Sequence, residues 1–311
     1  MRVLQEGRMS SNATEGSTRA ILYALGANGG IALSKFVAAA YSGSGAMLAE
    51  GIHSSADCAN QLLLLVGMKG AQAGESDEHP MGTQRVTYFY SMLVALLLFF
   101  MGGVYSAYEG VHRMLHPEPL SNAGVALAVL ALSVLLEALS LRGALREIRK
   151  ISSGKSFVQW FRETRESELM VVAGEDIAAL AGLVLAFVAV LLAWLTGNPL
   201  FDALGSLCVG VMLMGVAMAV LMEVKAMIVG ESAAPEMRAE IERFVAAQPE
   251  VEQVFRIITL AWGSQLMIAV KARMTHTDTA LQMVDAINAV EDRMQRRWPQ
   301  ARYVFFEPDV K

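Results

Sequence analysis

Six long apolar stretches constrain this chain before anything else does. They cover residues 18–41, 45–69, 86–113, 122–142, 168–196 and 201–229. A helix needs about 20 apolar residues to cross the hydrocarbon of a bilayer, and each stretch is that long or nearly so. Charged residues make up only 18% of the chain, whereas a soluble domain carries roughly a quarter. The breaks Ser42-Gly43-Ser44, His116-Pro117-Glu118-Pro119 and Gly197-Asn198-Pro199 have the chemistry of turns. The expected fold class is therefore a membrane all-α domain of six transmembrane helices.

Lysine and arginine set the expected orientation, because they favour the cytoplasmic side. Arg142, Arg146, Arg149, Lys150, Lys155, Arg162 and Arg165 lie between the fourth and fifth stretches, and Lys69 and Arg85 flank the connection after the second. The opposite connections carry little beyond Arg113. Both termini and the 70–85 and 143–167 connections are thus expected in the cytoplasm. Residues 1–17 are polar and lack the apolar centre of a signal peptide, so a disordered N-terminal tail is expected there. With no targeting segment read, a bacterial inner membrane is the expected home.

Composition changes after Gly230. Met237, Ile241, Phe244 and Val245 give residues 235–247 one apolar side. Residues 251–259 and 265–273 read as strands around a Trp262-Gly263-Ser264 turn. A second helix is expected over 279–298, with Leu281, Val284, Ile287, Val290 and Met294 in phase, and a last strand over 302–307. The order α-β-β-α-β predicts a cytoplasmic α+β domain over 231–311, after a membrane domain over 18–230. A net charge of −5, with no basic cluster, argues against nucleic acid. Cys58 and Cys208 sit singly in apolar stretches and read as free thiols.

The chemistry concentrates in the second stretch, Glu50-Gly51-Ile52-His53-Ser54-Ser55-Ala56-Asp57-Cys58-Ala59-Asn60-Gln61. On a helix, His53 and Asp57 share a face, roughly 6 Å apart along the axis. Glu50, Asn60 and Gln61 fall near the same stripe. An imidazole and a carboxylate at that spacing can reach one divalent ion. A plain polar pair facing another helix is the alternative. At bilayer depth, ionisable groups mark an ion path, which favours the ion, with Glu50 on its entry path. Asn28, Lys35, Glu109, Glu137, Glu223 and Lys225 read as structural, with Lys35 a counter-charge for Glu137.

Leu48-Ala49-Glu50-Gly51-Ile52-His53-Ser54-Ser55-Ala56-Asp57, His79-Pro80-Met81-Gly82, and Pro199 with Asp202-Ala203-Leu204-Gly205-Ser206 together resemble the cation diffusion facilitator family. The resemblance covers the chain after residue 17. It implies six spans with an α-β-β-α-β tail, a homodimer, and export of Zn2+ or another divalent metal in exchange for protons. It also implies four ligands, two from the second span and two from the fifth. His53 and Asp57 match the first pair, and Asp176 matches the aspartate of the second. Val172 stands where the family has histidine and cannot ligate. Glu175-Asp176, with the second-span residues, is similar to the zinc-transporter-nine-like branch. Glu175, Asn60 or water is expected to complete the shell. Oxygen-rich donors loosen a preference for Zn2+ towards Mn2+, Fe2+ or Co2+.

Other family sites are thin here. The 70–85 loop keeps Asp77, Glu78 and His79, but Thr83 stands where a second histidine is often found. His276 is the single histidine after residue 230, and Phe305 and Phe306 occupy the last strand where a ligating histidine often stands. The tail is therefore expected to dimerise rather than to sense metal, and Arg85 with Glu231 is expected to form a hinge pair. The chain shows no HExxH, no GxSxG and no nucleophile beside a base, so an intramembrane hydrolase is disfavoured and no enzyme or resident cofactor is expected. A non-transporting metal-binding scaffold is the remaining alternative, because one ligand is missing.

Overall fold

The computed structural model describes residues 3–42, 45–117, 123–151, 156–164 and 166–311, without the side chains of 3–17, 38, 39, 41, 42, 45–53, 56 and 151. Among the described residues, five helices are long and apolar enough to cross a membrane. They are Thr18–Val37, Val86–Leu115, Ala123–Lys150, Ser167–Thr196 and Leu200–Val229. The first lies inside α1 (Val3–Ser42). The third-stretch span comprises α3 (Val86–Leu97), a π-helical segment Leu98–Val104, and α4 (Tyr105–Leu115). The others are α5 (Ala123–Ile151), α7 (Ser167–Thr196) and α8 (Leu200–Val229). Between the first two, α2 (Gly45–Gly70) is a 26-residue helix.

Two local outcomes in the membrane domain differ from expectation. The helical backbone of α1 begins at Val3, through the segment expected to be a disordered tail. That segment has no proline, and Leu4, Gln5, Glu6, Arg8 and Met9 are good helix formers. The 143–167 connection is largely helical: α5 runs on to Ile151, and α6 (Phe157–Glu163) follows, its Ser156 side chain accepting from Gln159 N–H at 3.3 Å. Trp160 buries its ring in the bundle core and holds α6 there.

The helices pack through stripes that recur every three or four residues. On α1, Ile21, Ala24, Asn28, Ile31 and Lys35 are buried. This face lies against α2 and α5, while α7 lies against α5 and α8, and the third span against α8. Glycines bring the third span and α8 close: a Cβ on Gly103 would sit 2.5 Å from Met214 Cγ. Such close approach replaces the hydrophobic effect, which lipid weakens between helices. Between α7 and α8, Gly197 adopts φ +69° and Asn198 Oδ1 accepts from Leu200 N–H at 3.0 Å. Pro199 then starts the next helix, as the sequence predicts.

The C-terminal segment folds as α9 (Pro235–Ala246), β1 (Val251–Trp262), β2 (Gln265–Met274), α10 (Ala280–Arg297) and β3 (Ala301–Pro308). The sheet order is β1-β2-β3, with β1 and β2 antiparallel and β2 and β3 parallel. Gly263, at φ +63°, turns the hairpin between Trp262 and Gln265. Leu266, Ile268, Val270, Ala272 and Met274 alternate into the core beneath Ile241, Val245, Val290 and Met294. Leu281 and Val284 are instead 70% and 48% exposed. Steps of three drift about 60° each round a helix, so the packed stripe is Met283, Ala286, Ile287, Val290 and Met294.

Candidate functional site

The polar residues of the bundle meet where α2, α5 and α7 come together. Glu175 and Asp176 lie about 13 Å into α7, at ~1.5 Å per residue, roughly a third of the way along its 30 residues. Asn60, Glu137, Glu175 and Asp176 are each at most 4% exposed, and Asp57 is partly buried. As adjacent residues on α7, Glu175 and Asp176 address different neighbours. Glu175 Oε1 accepts from Asn60 Nδ2 of α2 at 3.4 Å. Asp176 Oδ2 accepts from Ser140 Oγ of α5 at 3.0 Å, and the buried Glu137 lies one turn before Ser140 on α5. Asp57 lies within electrostatic reach of both Glu137 and Glu175.

One feature sets this cluster apart. Glu175 Oε2 is buried with no hydrogen-bond partner among the described residues, and a buried acceptor in that condition costs about 1–3 kcal/mol or more. Positive charge is sparse: Lys35 of α1 donates to Ser54 Oγ at 2.8 Å and lies within electrostatic reach of Glu137. Asn28 Nδ2 donates to Gln61 Oε1 at 3.3 Å and ties α1 to the stripe of α2. Such a surplus of carboxylate oxygen at depth favours a cation or protons.

The structure thus brings together Asp57, Asn60, Glu175 and Asp176 among the expected residues. The side chains of His53 and Glu50 lie outside the described residues. Val172 is fully buried in the apolar core. Among the described residues, no three His, Cys, Asp or Glu side chains form a ready metal-binding group. Glu137 and Ser140 of α5 lie buried next to this cluster, where sequence reasoning does not put them. The sequence pairs Glu137 with Lys35 alone, although a carboxylate inside a span is itself the signal that could place it here.

The other expected residues are more dispersed. Asp77, Glu78 and His79 are exposed, and Thr83 Oγ1 bonds the carbonyls of Gly70 and Ala73 at 2.7 and 3.1 Å. Arg85 bonds the carbonyls of Met227 and Ile228 at the end of α8 and stacks on Trp262 at 4.7 Å. Glu231 reaches the same junction through its carbonyl, which accepts from Ala261 N–H at 2.8 Å. Arg85 is therefore held by backbone and ring contacts, and its charge pairing with Glu231 stays a proposal.

The junction between the helices and the sheet is polar. Gly263 N–H donates to the Tyr88 hydroxyl at 2.9 Å, and Gln84 Oε1 accepts from Ser264 N–H at 3.2 Å. Glu75 accepts from Tyr303 at 2.8 Å and from Arg302 at 3.4 Å. The Tyr303 hydrogen bond, with Arg302, holds the Glu75 carboxyl below its ordinary value. A cavity of about 480 Å³ opens here, lined in part by Glu75, Gln84, Glu166, Arg302 and Tyr303. Burial, and then the neighbouring Glu168, push the Glu166 carboxyl up to about 7 from 4.5.

The sign of that shift gives a prediction. Between these two values the folded chain holds a proton that the unfolded chain has lost. The stabilisation is complete below 4.5 and disappears as pH rises through about 7. Glu166→Gln is expected to flatten this part of the melting profile in detergent between pH 5 and 8. The wild type should lose up to about 3 kcal/mol across that window from this group. Parallel wild-type and Gln profiles would refute the assignment.

Comparison with known proteins fits this geometry. The model of the cation efflux transmembrane domain matches residues 21–229. The chain is 34% identical over 242 residues to "Proton-coupled zinc antiporter SLC30A9, mitochondrial" of Xenopus laevis, covering 77% of this chain and 43% of that one. It is 32% identical over 249 residues to the Homo sapiens protein of the same name, covering 79% and 44%. Metal tolerance protein C4 of Arabidopsis thaliana is 28% identical over 241 residues, covering 77% and 53%. The chain spans about half the length of these relatives.

Proposed function

We infer the function from the family: the chain belongs to the cation efflux transporters, whose transmembrane domain it matches over residues 21–229. These are multi-pass membrane transporters and not enzymes. On that premise the chain exports a divalent metal cation by alternating access, with protons moving the other way. Zn2+ is the leading substrate, supported by the zinc antiporters among its relatives. A carboxylate-rich cluster supports Mn2+, Fe2+ or Co2+ as the second reading.

The observation that carries this reading is the buried pair Glu175 and Asp176, with Asp57 partly buried on α2 and Glu175 Oε2 left without a partner among the described residues. His53 lies one turn before Asp57 on the same helix face. His53, Asp57 and Asp176 are the proposed ligands, with Glu175 and Asn60 completing the shell and Glu50 on the entry path. In this reading α2 also crosses the membrane, as the second of six spans, residues 231–311 dimerise in the cytoplasm, and both termini lie there.

Coupling follows from the ligands themselves. A metal ion needs a deprotonated imidazole and deprotonated carboxylates, so loading releases protons. A free imidazole titrates near neutrality, which makes His53 the natural proton carrier in this reading. Metal released to the far side then lets protons return to these groups. Residues 1–17 and 231–311 flank the 18–230 transport domain and take no direct part in this exchange.

The test is flux in proteoliposomes of defined orientation. An inward-directed proton gradient across the cytoplasmic-side-in vesicle should drive Zn2+ out against its own gradient. Flux indifferent to the pH gradient, but following Na+ or the membrane potential alone, would overturn proton antiport. Absence of flux with every divalent metal would favour a metal-binding scaffold.

A further inference from the structure

The third span ends in chemistry that the transport reading does not use. His112-Arg113-Met114-Leu115-His116 sets two imidazoles four residues apart at the end of α4. Four residues is about one helical turn, so the two side chains leave the same face. The backbone holds that step, since His116 N–H donates to His112 O at 2.9 Å. The rings do not splay: their centroids are 4.9 Å apart, with 29° between the planes. Both residues are exposed. Among the described residues, neither imidazole takes part in a hydrogen bond or an ion pair. Two nitrogens bound to one metal ion at ~2.0–2.1 Å sit about 3 Å apart. Rings this close reach that spacing by turning about their side-chain bonds. The charge between them is already met, because Arg113 donates to Glu109 and to Asp202 of α8, at 2.9 Å each.

We propose that His112 and His116 form a second divalent-metal site, two imidazoles completed by water. It is separate from the buried carboxylates of α7. Tyr88, near the start of the third span, meets the hairpin turn at Gly263, and His116 lies about 40 Å further along at ~1.5 Å per residue. Ser91 near that start bonds Ser167 at the start of α7 at 2.9 Å, so Glu175, in the third turn of α7, sits well short of His112. In the orientation proposed above, this is the face on which exported metal emerges. The ligand class is a cation that favours imidazole, such as Zn2+, Ni2+ or Cu2+, over Mg2+ or Mn2+, which favour oxygen. Bound metal clips the last turn of α4, where Arg113 ties that helix to α8 through Asp202. Imidazoles at a helix C-terminus also interact favourably with its dipole, and stacked rings pack. Neither effect needs a metal, and that difference is what the experiment reads.

The full chain, purified without a histidine tag, is titrated in detergent with Ni2+ by calorimetry, with Mn2+ as the oxygen-preferring control. The parent carries Asp57→Ala, so that the proposed transport site contributes little. Of the five histidines in the sequence, no other two lie within one turn of each other, so a second chelating pair does not compete. A single Ni2+ per chain is expected. His112→Gln and His116→Gln should each weaken it about tenfold or more, because the second imidazole of the pair binds intramolecularly. Mn2+ titrations should not change. Cu2+ EPR should show coupling to two imidazole nitrogens in the parent and to one in each variant. Both positions are exposed, and melting without metal checks that the variants fold. Ni2+ at ~100 times its dissociation constant should raise the melting temperature of the parent but not of the variants. A purely structural pair predicts the same Ni2+ response in all three proteins. Unchanged Ni2+ affinity in both variants, or fewer than two coupled nitrogens in the parent, would overturn the proposal. So would Ni2+ binding that is lost with Asp57→Ala alone, since the metal would then sit at the transport site; that outcome leaves the transport reading intact.

Discussion

Asp57→Ala and Asp176→Ala are each expected to cut metal flux by about 100-fold or more while leaving a folded protein. On the proposed reading each substitution removes a carboxylate oxygen from the shell of the transported cation. Breaking a buried charge pair on one side costs about 3–5 kcal/mol, and each ~1.4 kcal/mol is tenfold in affinity. The two variants should differ in one respect. Asp176 accepts from Ser140 at 3.0 Å, so its loss also strands that hydroxyl. Asp176→Asn keeps an acceptor for Ser140 and should preserve thermal stability better than Asp176→Ala, yet transport no better. The measurement is uptake by proteoliposomes at matched protein loading, beside a melting curve in detergent. Flux within threefold of wild type in Asp57→Ala or Asp176→Ala would remove these residues from the transport site.

How far the sequence carries this picture depends on the range of each interaction. The spans are legible because lipid demands continuous apolar helix, a local property. The Gly197-Asn198-Pro199 reversal is legible because each residue has its own backbone role there. The α-β-β-α-β order is legible from alternation, as the buried face of β2 shows. What stays hidden depends on which helices become neighbours. Nothing local to Ser140 says that α5 packs on α7 and gives Asp176 a hydrogen bond. Nothing local to Tyr88 or Gln84 says that they will hold the hairpin turn at Gly263 and Ser264. The π-helical segment Leu98–Val104 is hidden for a similar reason, since its Gly102 and Gly103 answer the surface of α8. The site is half legible: α2 and α7 carry readable motifs, whereas α5 carries one carboxylate whose meaning is set by its neighbours.

The largest stability effect is expected at the seam between α4 and α8. A Cβ on Gly210 would lie 2.3 Å from Ala107 N and 2.7 Å from Gly103 O. A Cβ on Gly110 would lie 2.4 Å from Leu207 N. Real Cβ atoms do not come that close, and here the obstacles are backbone atoms, which no rotamer change can move. The helices must separate along the seam and forfeit dispersion contacts on both faces. In lipid those contacts are the main force between helices, because hydrocarbon solvates an apolar face as well as another helix does. Overpacking a core costs about 1–3 kcal/mol even where side chains can yield. Gly210→Val is therefore expected to exceed about 3 kcal/mol and to leave little folded protein, with Gly110→Val close behind. Gly215 is the control on the same helix, because a Cβ added there would meet nothing within 4 Å among the described residues. Gly215→Ala should be neutral or stabilise by up to about 1 kcal/mol, since alanine favours the helix. Thermal unfolding and monodispersity in one detergent distinguish these variants. A Gly210→Val protein that is monodisperse and melts with the wild type would mean that α4 and α8 do not meet along this seam. The orientation of α8 towards Arg85 and the sheet would then need another support.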